Sequence, residues 1–530
     1  MTQFAVRDFP ITQAQESGAA RLAGYFWPVA ALLLAVRIVL SATCNLVPDE
    51  AFYWTWTRHL STGYFDHPPM VAWLIWLSTR VLGDTELGVR LPAAVLSIGS
   101  LAILYSLAGK ILKDRRAVGY VVLMWIAGPL LAVNGTIVTP DAPATFFSMC
   151  ALTCAVRVAG RDDDAAAADP SARNHSAAFW IFFGLFSGLA LLSKYTTVLV
   201  PAGIFLALLT SRSGRRHLRG PWVYLSGVIA LCVFSPTIYW NATHHWASFL
   251  FQLHHGAGGG LSAGKHGICA VFIARAMGLA EFIGGQALVW TPILFAVAIA
   301  VAIVNWRKYS RLSNVNQMLL WSGTLPLLFF GWAATSSHGE INWPAFAYFP
   351  LSLLVGRYLS ENWRGNRVHL VRKGCEVAIG FTIVIHLIAM SSVQQWLLRH
   401  DVPFTHRGFP LTHQITDLWG WPQFGRQLAA DARGIPVVCN RHQDAGEAAF
   451  YMPGRPDVWC EVGSRPTAFD YYDRGRPDYS RIPEALFVGG NKDADKFMAR
   501  FGYTMKSPPI EVQRPGLGKA KSNSAIRVSR

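Results

Sequence analysis

Pro48-Asp49-Glu50-Ala51-Phe52-Tyr53-Trp54 lies directly behind an apolar stretch from Tyr25 to Leu46 and is followed by Gly63-Tyr64-Phe65-Asp66-His67-Pro68-Pro69. An apolar stretch of that length meets the roughly 20 residues a helix needs to cross about 30 Å of hydrocarbon. Ionisable groups held beside hydrocarbon are costly, so a chain that sets Asp49, Glu50, Asp66 and His67 there points to chemistry at a membrane face.

Working outward, the 530 residues are 52% hydrophobic and only 15% charged, too apolar for an ordinary soluble protein. Comparable runs recur at Val118 to Val133, Val223 to Trp240, Ile283 to Val304, Met318 to Ala334 and Val377 to Met390. The pattern is that of an α-helical polytopic membrane protein of about eleven transmembrane helices. The spans are expected to begin near Ala23, Gly88, Val118, Pro143, Phe179, Thr196, Pro221, Ile283, Gln317, Pro344 and Cys375. Arg37 is the one charge in the first of them. Residues 1–22 read as a cytoplasmic lead-in and not as a cleaved signal, because they are polar and carry Asp8 and Glu16.

The net charge of +16 would suit a nucleic-acid binder, but its distribution argues against one. The basic residues cluster between spans, at Lys110 to Arg116, Arg212 to Arg219, Arg307 to Arg311 and Arg364 to Lys373. The positive-inside rule places all of these in the cytoplasm, and the number of spans between successive clusters is then even. Asp49, Asp66, Asp141, the His-rich loop from Asn241 to Glu281 and the segment Ser336 to Pro344 all fall on the opposite face, in the periplasm or lumen.

Between Asp49 and Gly88 the chain is too long for a turn and too interrupted for a span. Trp54, Trp56, Tyr64, Trp73 and Trp76 suggest helices lying in the interface. The transmembrane domain is expected over 23–393. A soluble periplasmic α/β domain follows over 394–513, with strand-like Ile435 to Cys439, helix-like Ala445 to Met452 and strand-like Asp457 to Val462 in βαβ order. Cys439 and Cys460 would sit on neighbouring strands, either as a disulfide or as two buried thiols. Residues 514–530 are basic and poor in apolar content, and are expected to be a disordered tail.

Each candidate site residue has a plain structural reading beside its chemical one. Asp49 and Glu50 could be acidic residues at a helix N-terminus, favoured by its dipole. The second acid at the start of a span, in Thr139-Pro140-Asp141-Ala142-Pro143, favours a shared purpose. Adjacent helical residues point about 100° apart, so of Asp49 and Glu50 one would be a base and the other an orienter. Asp66-His67-Pro68-Pro69 is either a tight interfacial turn or a rigid loop presenting His67 to a phosphate. Lys194 either snorkels or binds phosphate. His338, Glu340 and Asn342 either line the same cavity or form an interfacial turn. The His-rich loop matches no compact zinc pattern, so no metal site is assigned, although a divalent ion is compatible.

Together, Asp49-Glu50, Tyr64 to Pro69, Thr139-Pro140-Asp141, Ser193-Lys194-Tyr195 and Asn342-Trp343-Pro344 resemble the membrane glycosyltransferases of the C-type fold. The nearest resemblance is to bacterial relatives of the dolichyl-phosphate-mannose protein mannosyltransferases and of the lipid A aminoarabinose transferase. It covers nearly the whole membrane portion. The resemblance implies a sugar carried on a polyprenyl phosphate and passed, with inversion, to an acceptor on the outer face: lipid A or core oligosaccharide, another lipid, or a protein. It implies Asp49 as general base, Glu50 and Asp141 as shapers of the site, and Tyr64, Asp66, His67, Lys194, His338, Glu340 and Asn342 as substrate or phosphate contacts. Aminoarabinose-type relatives carry a lysine where this chain has His67 and an arginine where it has Phe52-Tyr53, so donor and acceptor contacts are expected to differ. The rivals are a transporter or flippase, which would show broken helices and internal repeats, a non-catalytic scaffold, and an oligosaccharide ligase or polymerase.

Overall fold

The computed structural model describes residues 24–112, 114–163, 170–257, 268–336, 340–362, 366–389, 420–461, 463, 465–472, 475, 477–514 and 521–530. The lead-in 1–22, the boundary expected at 394 and His338 lie outside the described residues. The helices of the first part are α1 (Phe26–Thr43), α2 (Pro48–Thr57), α3 (Met70–Leu82), α4 (Glu86–Ile111), α5 (Arg115–Ala127), α6 (Asp141–Asp163), α7 (Pro170–Ser193), α8 (Leu199–Thr210) and α9 (Trp222–Thr243). They continue with α10 (Ala247–Ala257), α11 (Ile268–Val289), α12 (Pro292–Arg307), α13 (Asn314–Ala334), α14 (Tyr348–Glu361) and α15 (Asn366–Ala389). Their starts are chemically marked. Thr85 caps α4 by accepting from Gly88 N at 3.0 Å, Asp114 caps α5 by accepting from Arg116 N at 2.9 Å, and prolines open α2 and α12.

Among the described residues, α1, α4, Asp141–Gly160 of α6, Ser176–Ser193 of α7, α9 and Cys269–Val289 of α11 are long and apolar enough to cross a membrane. The single span expected from Ile283 to Val304 is instead two helices, α11 and α12, broken at Thr291 with φ of 67° ahead of Pro292. Proline stops the helix because it lacks the N–H and clashes with the preceding turn. Both pieces pack on α13: Gly278 abuts Ala334, Phe282 lies by Gly331, and Trp306 packs edge-on against Trp321. A transporter would use such a break to bind an ion. Here the break is filled by Trp290 against Tyr348, whose hydroxyl donates to Gln286 Oε1.

The second part is an α/β unit: α16 (Trp421–Ala432), β1 (Val437–Cys439), α17 (His442–Tyr451), β2 (Val458–Cys460), β3 (Glu484–Val488), α18 (Asn491–Phe501), β4 (Thr504–Met505), β5 (Ile510–Arg514) and β6 (Lys521–Ser529). The sheet order is β2-β1-β3-β6-β4, with β5 also paired to β6. Strand β1 runs parallel to β2 and β3, and β6 runs antiparallel to its neighbours. The tail expected to be disordered over 514–530 therefore contains an interior strand. Ala525, Ile526 and Val528 are fully buried, and because adjacent strand residues point to opposite faces, Ala525 enters one apolar cluster and Ile526 with Val528 another. Cys439 and Cys460 are register partners and both are free thiols.

The helices expected in the interface divide in two. Trp73 and Trp76 on α3 are half-buried, but Phe52, Trp54, Trp56 and Tyr64 are within 2% of complete burial, covered by protein and not by lipid. The cover over Phe52 and Trp54 is α17, which lies along α2. Phe52 packs on His442 and Phe469, and Trp54 meets Phe450 edge-on. Tyr451 Oη accepts from Leu46 N at 2.8 Å, and Thr55 Oγ1 pairs with Tyr472 Oη at 2.9 Å. The contact is close enough that a Cβ at Gly446 would stand 2.6 Å from Phe52 N. Backbone cannot yield as a flexible side chain does, so Gly446→Ala is expected to cost about 1–3 kcal/mol. Proteolysis of the detergent-solubilised variant should release the α/β unit faster than in wild type; equal rates would place the docking elsewhere.

Candidate active site

The site is built where α2, the loop after it, the start of α6, the end of α7 and the α/β unit converge. Glu50 is 0% exposed and accepts from Arg90 Nε and Nη2 at 2.9 and 2.5 Å. It also accepts from Val47 N at 2.9 Å and Val138 N at 2.8 Å. Arg90 spends its other donors on the carbonyls of Cys44 and Asn45. Glu50 is thus consumed in a closed knot that ties α2 to α4 and to the Val138 loop. Both of its carboxylate oxygens already face donors, a geometry that suits the orienter expected beside Asp49.

Asp49, one residue on, turns the other way, as the helical 100° step requires. It is exposed only within the recess, where surrounding protein limits its hydration, and among the described residues no donor hydrogen-bonds to it. Burial of its surroundings pushes the carboxyl up to about 6, with the charges of Asp66, Glu340 and Glu50 adding to the rise and Arg465 opposing it. Asp66 is buried and accepts from Arg465 Nη1 at 2.6 Å and Ala468 N at 3.2 Å, while its carbonyl accepts from Gln252 Nε2 at 2.6 Å. Burial raises this carboxyl too, and Arg465 pulls it back.

Three motifs far apart in sequence meet at Asp141. Its Oδ1 accepts from Lys194 Nζ at 2.6 Å and its Oδ2 from Asn342 Nδ2 at 2.5 Å. Lys194 is 7% exposed, so it does not snorkel to a surface; it sits in the protein, paired. Asp49, Asp66 and Asp141 all act on Tyr53, whose hydroxyl burial and these three charges hold well above its usual range. His67 is half-buried, its ring centroid 6.2 Å from that of Tyr53. Glu340 is exposed and close enough to Asp49 to act on its charge.

The Tyr64 hydroxyl shares its proton between the carbonyls of Trp56 and His59 and accepts from Ser61 N, and its ring stacks on Trp56 at 4.3 Å, contacts that hold the turn. Three residues escaped the sequence reading: Tyr53, Arg90 and Arg465. Arg90 had a signal, as a lone charge two residues into an expected span. Arg465 had a weaker one, as a cation in the loop past the carboxyl end of β2. The His-rich loop begins with α10, which lies over the site through Gln252 and through Phe251 beneath the Arg465 guanidinium at 4.8 Å.

Fold and site together define a multi-pass helical membrane protein with a carboxylate-rich recess closed by an α/β unit. Residues 66–240 match the model of the dolichyl-phosphate-mannose-protein mannosyltransferase family. The chain is 25% identical over 344 residues to a lipid A galacturonosyltransferase of Rhizobium johnstonii, covering 62% of this chain and 63% of that one. It is 25% identical over 402 residues to an undecaprenyl phosphate-α-4-amino-4-deoxy-L-arabinose arabinosyl transferase of Pseudomonas aeruginosa, covering 72% and 66%. These matches span just under two thirds of the relatives' own lengths. The fold is that of ArnT from Cupriavidus metallidurans, at a TM-score of 0.58 and 17% identity over 95% of this chain and 98% of that one. The same protein bound to undecaprenyl phosphate superposes at a TM-score of 0.56, with 16% identity and the same coverage. In sequence the chain is thus similar to membrane glycosyltransferases, and it shares the fold of ArnT.

The Glu50 knot gives a sharp expectation. Arg90→Met leaves a buried carboxylate unpaired, a loss of about 3–5 kcal/mol. Little monodisperse protein should be recovered by gel filtration, whereas Glu50→Gln combined with Arg90→Met should recover a large part of it.

Proposed function

We propose that this chain transfers a sugar from a polyprenyl-phosphate donor to a hydroxyl or phosphate of a membrane-embedded acceptor on the periplasmic face of the bacterial inner membrane. The observation that carries the reading is Asp49: a carboxylate without a donor among the described residues, raised by its surroundings, beside the Asp141–Lys194–Asn342 group. The relatives that act on lipid A and on an undecaprenyl-phosphate sugar support the donor and acceptor classes.

In this reading Asp49 takes the acceptor proton as its oxygen attacks the anomeric carbon. The bond from that carbon to the phosphate oxygen breaks, and the electron pair leaves with the lipid phosphate. His67 and Lys194 lie where that charge develops. Asp141 and Asn342 hold the Lys194 ammonium in place, and Arg465 fixes Asp66 so that the His67-Pro68-Pro69 turn presents one face. A single displacement inverts the anomeric centre. Seven side chains, Asp49, Asp66, His67, Asp141, Lys194, Asn342 and Arg465, thus serve one reaction, with Glu50 orienting the base.

A base with its carboxyl at about 6 is charged above that value, so transfer should rise with pH through about 6, reach a plateau near 7, and be roughly tenfold lower at pH 5. Asp49→Asn should lower transfer of a labelled sugar to a membrane acceptor fraction by at least about 100-fold. Folding favours the protonated form of a carboxyl raised in the native state, so ionised Asp49 detracts from stability as pH rises from the ordinary carboxylate range through about 6. The Asn variant should therefore melt at the same temperature as wild type or higher at pH 7. Undiminished transfer by Asp49→Asn would move the base to another residue.

A further inference from the structure

Arg37 is the one charge in α1, and it lies against α4 and the turn at Gly135. Its Nη1 donates to Ser97 Oγ, and a Cβ at Gly135 would come within 2.5 Å of its Cζ. Among the described residues no carboxylate pairs with it. A cation within a helix bundle is ordinarily matched by a counter-charge, because desolvation is otherwise uncompensated.

The neighbours deepen the imbalance. Asn134 and Thr145 are 7% and 4% exposed, and Asn134 Nδ2 and Thr145 Oγ1 have no hydrogen-bond partner. Both line a cavity together with Arg37, Ser97 and Ser100. Leu33, Leu101, Trp125 and Ile126 form its apolar walls. Ala142 closes one side, so the cavity adjoins the helix start that carries Asp141. Water could satisfy the amide and the hydroxyl but would leave the guanidinium charge unmatched. An oxyanion answers all three groups at once, because it accepts from each of them and carries the missing charge.

We propose that Arg37 and Asn134, with Thr145, bind the oxyanion of a lipid-linked substrate, and this rests on the transferase reading above; the Ser97 hydroxyl, which donates to the Ala94 carbonyl, steadies Arg37. The apolar walls suit the chain of a polyprenyl lipid. The oxyanion is either a carboxylate on the sugar or the lipid phosphate, which would then take the role given above to His67 and Lys194, and the test separates them.

Purified full-length protein in detergent is titrated with two probes, undecaprenyl phosphate and a polyprenyl phosphate carrying a uronic acid, with binding read by thermal shift so that no turnover is needed. Arg37→Gln should weaken binding by about tenfold or more, and Arg37→Lys should restore part of it. Asn134→Ala should weaken binding about fivefold while melting, without ligand, at the wild-type temperature or above, because it removes a buried donor that has no partner. Equal losses for both probes assign the phosphate. A loss confined to the uronic-acid probe assigns the carboxylate. Wild-type affinities in both variants for both probes, or no binding of either probe by wild type, would overturn the site. Transfer from the uronic-acid donor, measured alongside, reports separately on the transferase reading: a protein that binds but does not transfer keeps the site and loses the enzyme.

Discussion

The buried pair of Glu50 and Arg90 is the constraint on which the remaining geometry rests. With exposures of 0% and 1%, the two charges are removed from water together, a step that is favourable only when each remaining donor and acceptor is also satisfied. Here they are: backbone N–H groups of Val47 and Val138 complete the carboxylate, and the Cys44 and Asn45 carbonyls complete the guanidinium. The pair therefore determines the exit of α1, the start of α2, the tilt of α4 and the path of the loop that leads to Asp141. Because Glu50 points into this knot, Asp49 can point only toward the recess.

The α/β unit is part of that recess and not an appendage. Its α17 covers the aromatic face of α2, and its loop after β2 delivers Arg465 to Asp66. His442, at the start of α17, is held neutral: burial lowers it to about 3, with Arg465 and Arg441 adding to the effect, and its ring packs on Phe52 as an apolar surface would. A charged ring there would face the Arg465 cation across a dry interface. The unit thus contributes one cation to the site and suppresses another, leaving Asp49 among carboxylates that raise it.

The recess also separates carboxylates by task. Asp66 and Asp141 are each bound to a cation, at 2.6 Å in both cases, and are spent on holding a loop and a lysine. Asp49 has no such partner among the described residues. Similar residue types thus acquire different roles because their partners differ, which is the general means by which one fold distributes acid and base chemistry.

Much of this was legible in the chain. Hydropathy determined that the protein spans a membrane in many helices, since only an apolar run of sufficient length can do so. The acids at two span starts, with Lys194 and Asn342 further along the chain, pointed to a site on one face. The βαβ order of 435–462 was also readable as alternating local propensities. Other features depended on contacts between residues far apart in sequence. The buried aromatics of α2 read as interfacial because amphipathic rings suit lipid and protein cover equally well. Only the docking of α17 distinguishes the two. The strand at 521–529 was hidden by its basic side chains, which carry no information about a pairing partner. The division of labour between Asp49 and Glu50 was set by Arg90, 40 residues away, and that of Asp66 by Arg465, 399 residues away. Sequence alone determined which groups were available at the membrane face; the tertiary structure decided which were already spent, because a carboxylate's role follows from the donors that fill its lone pairs.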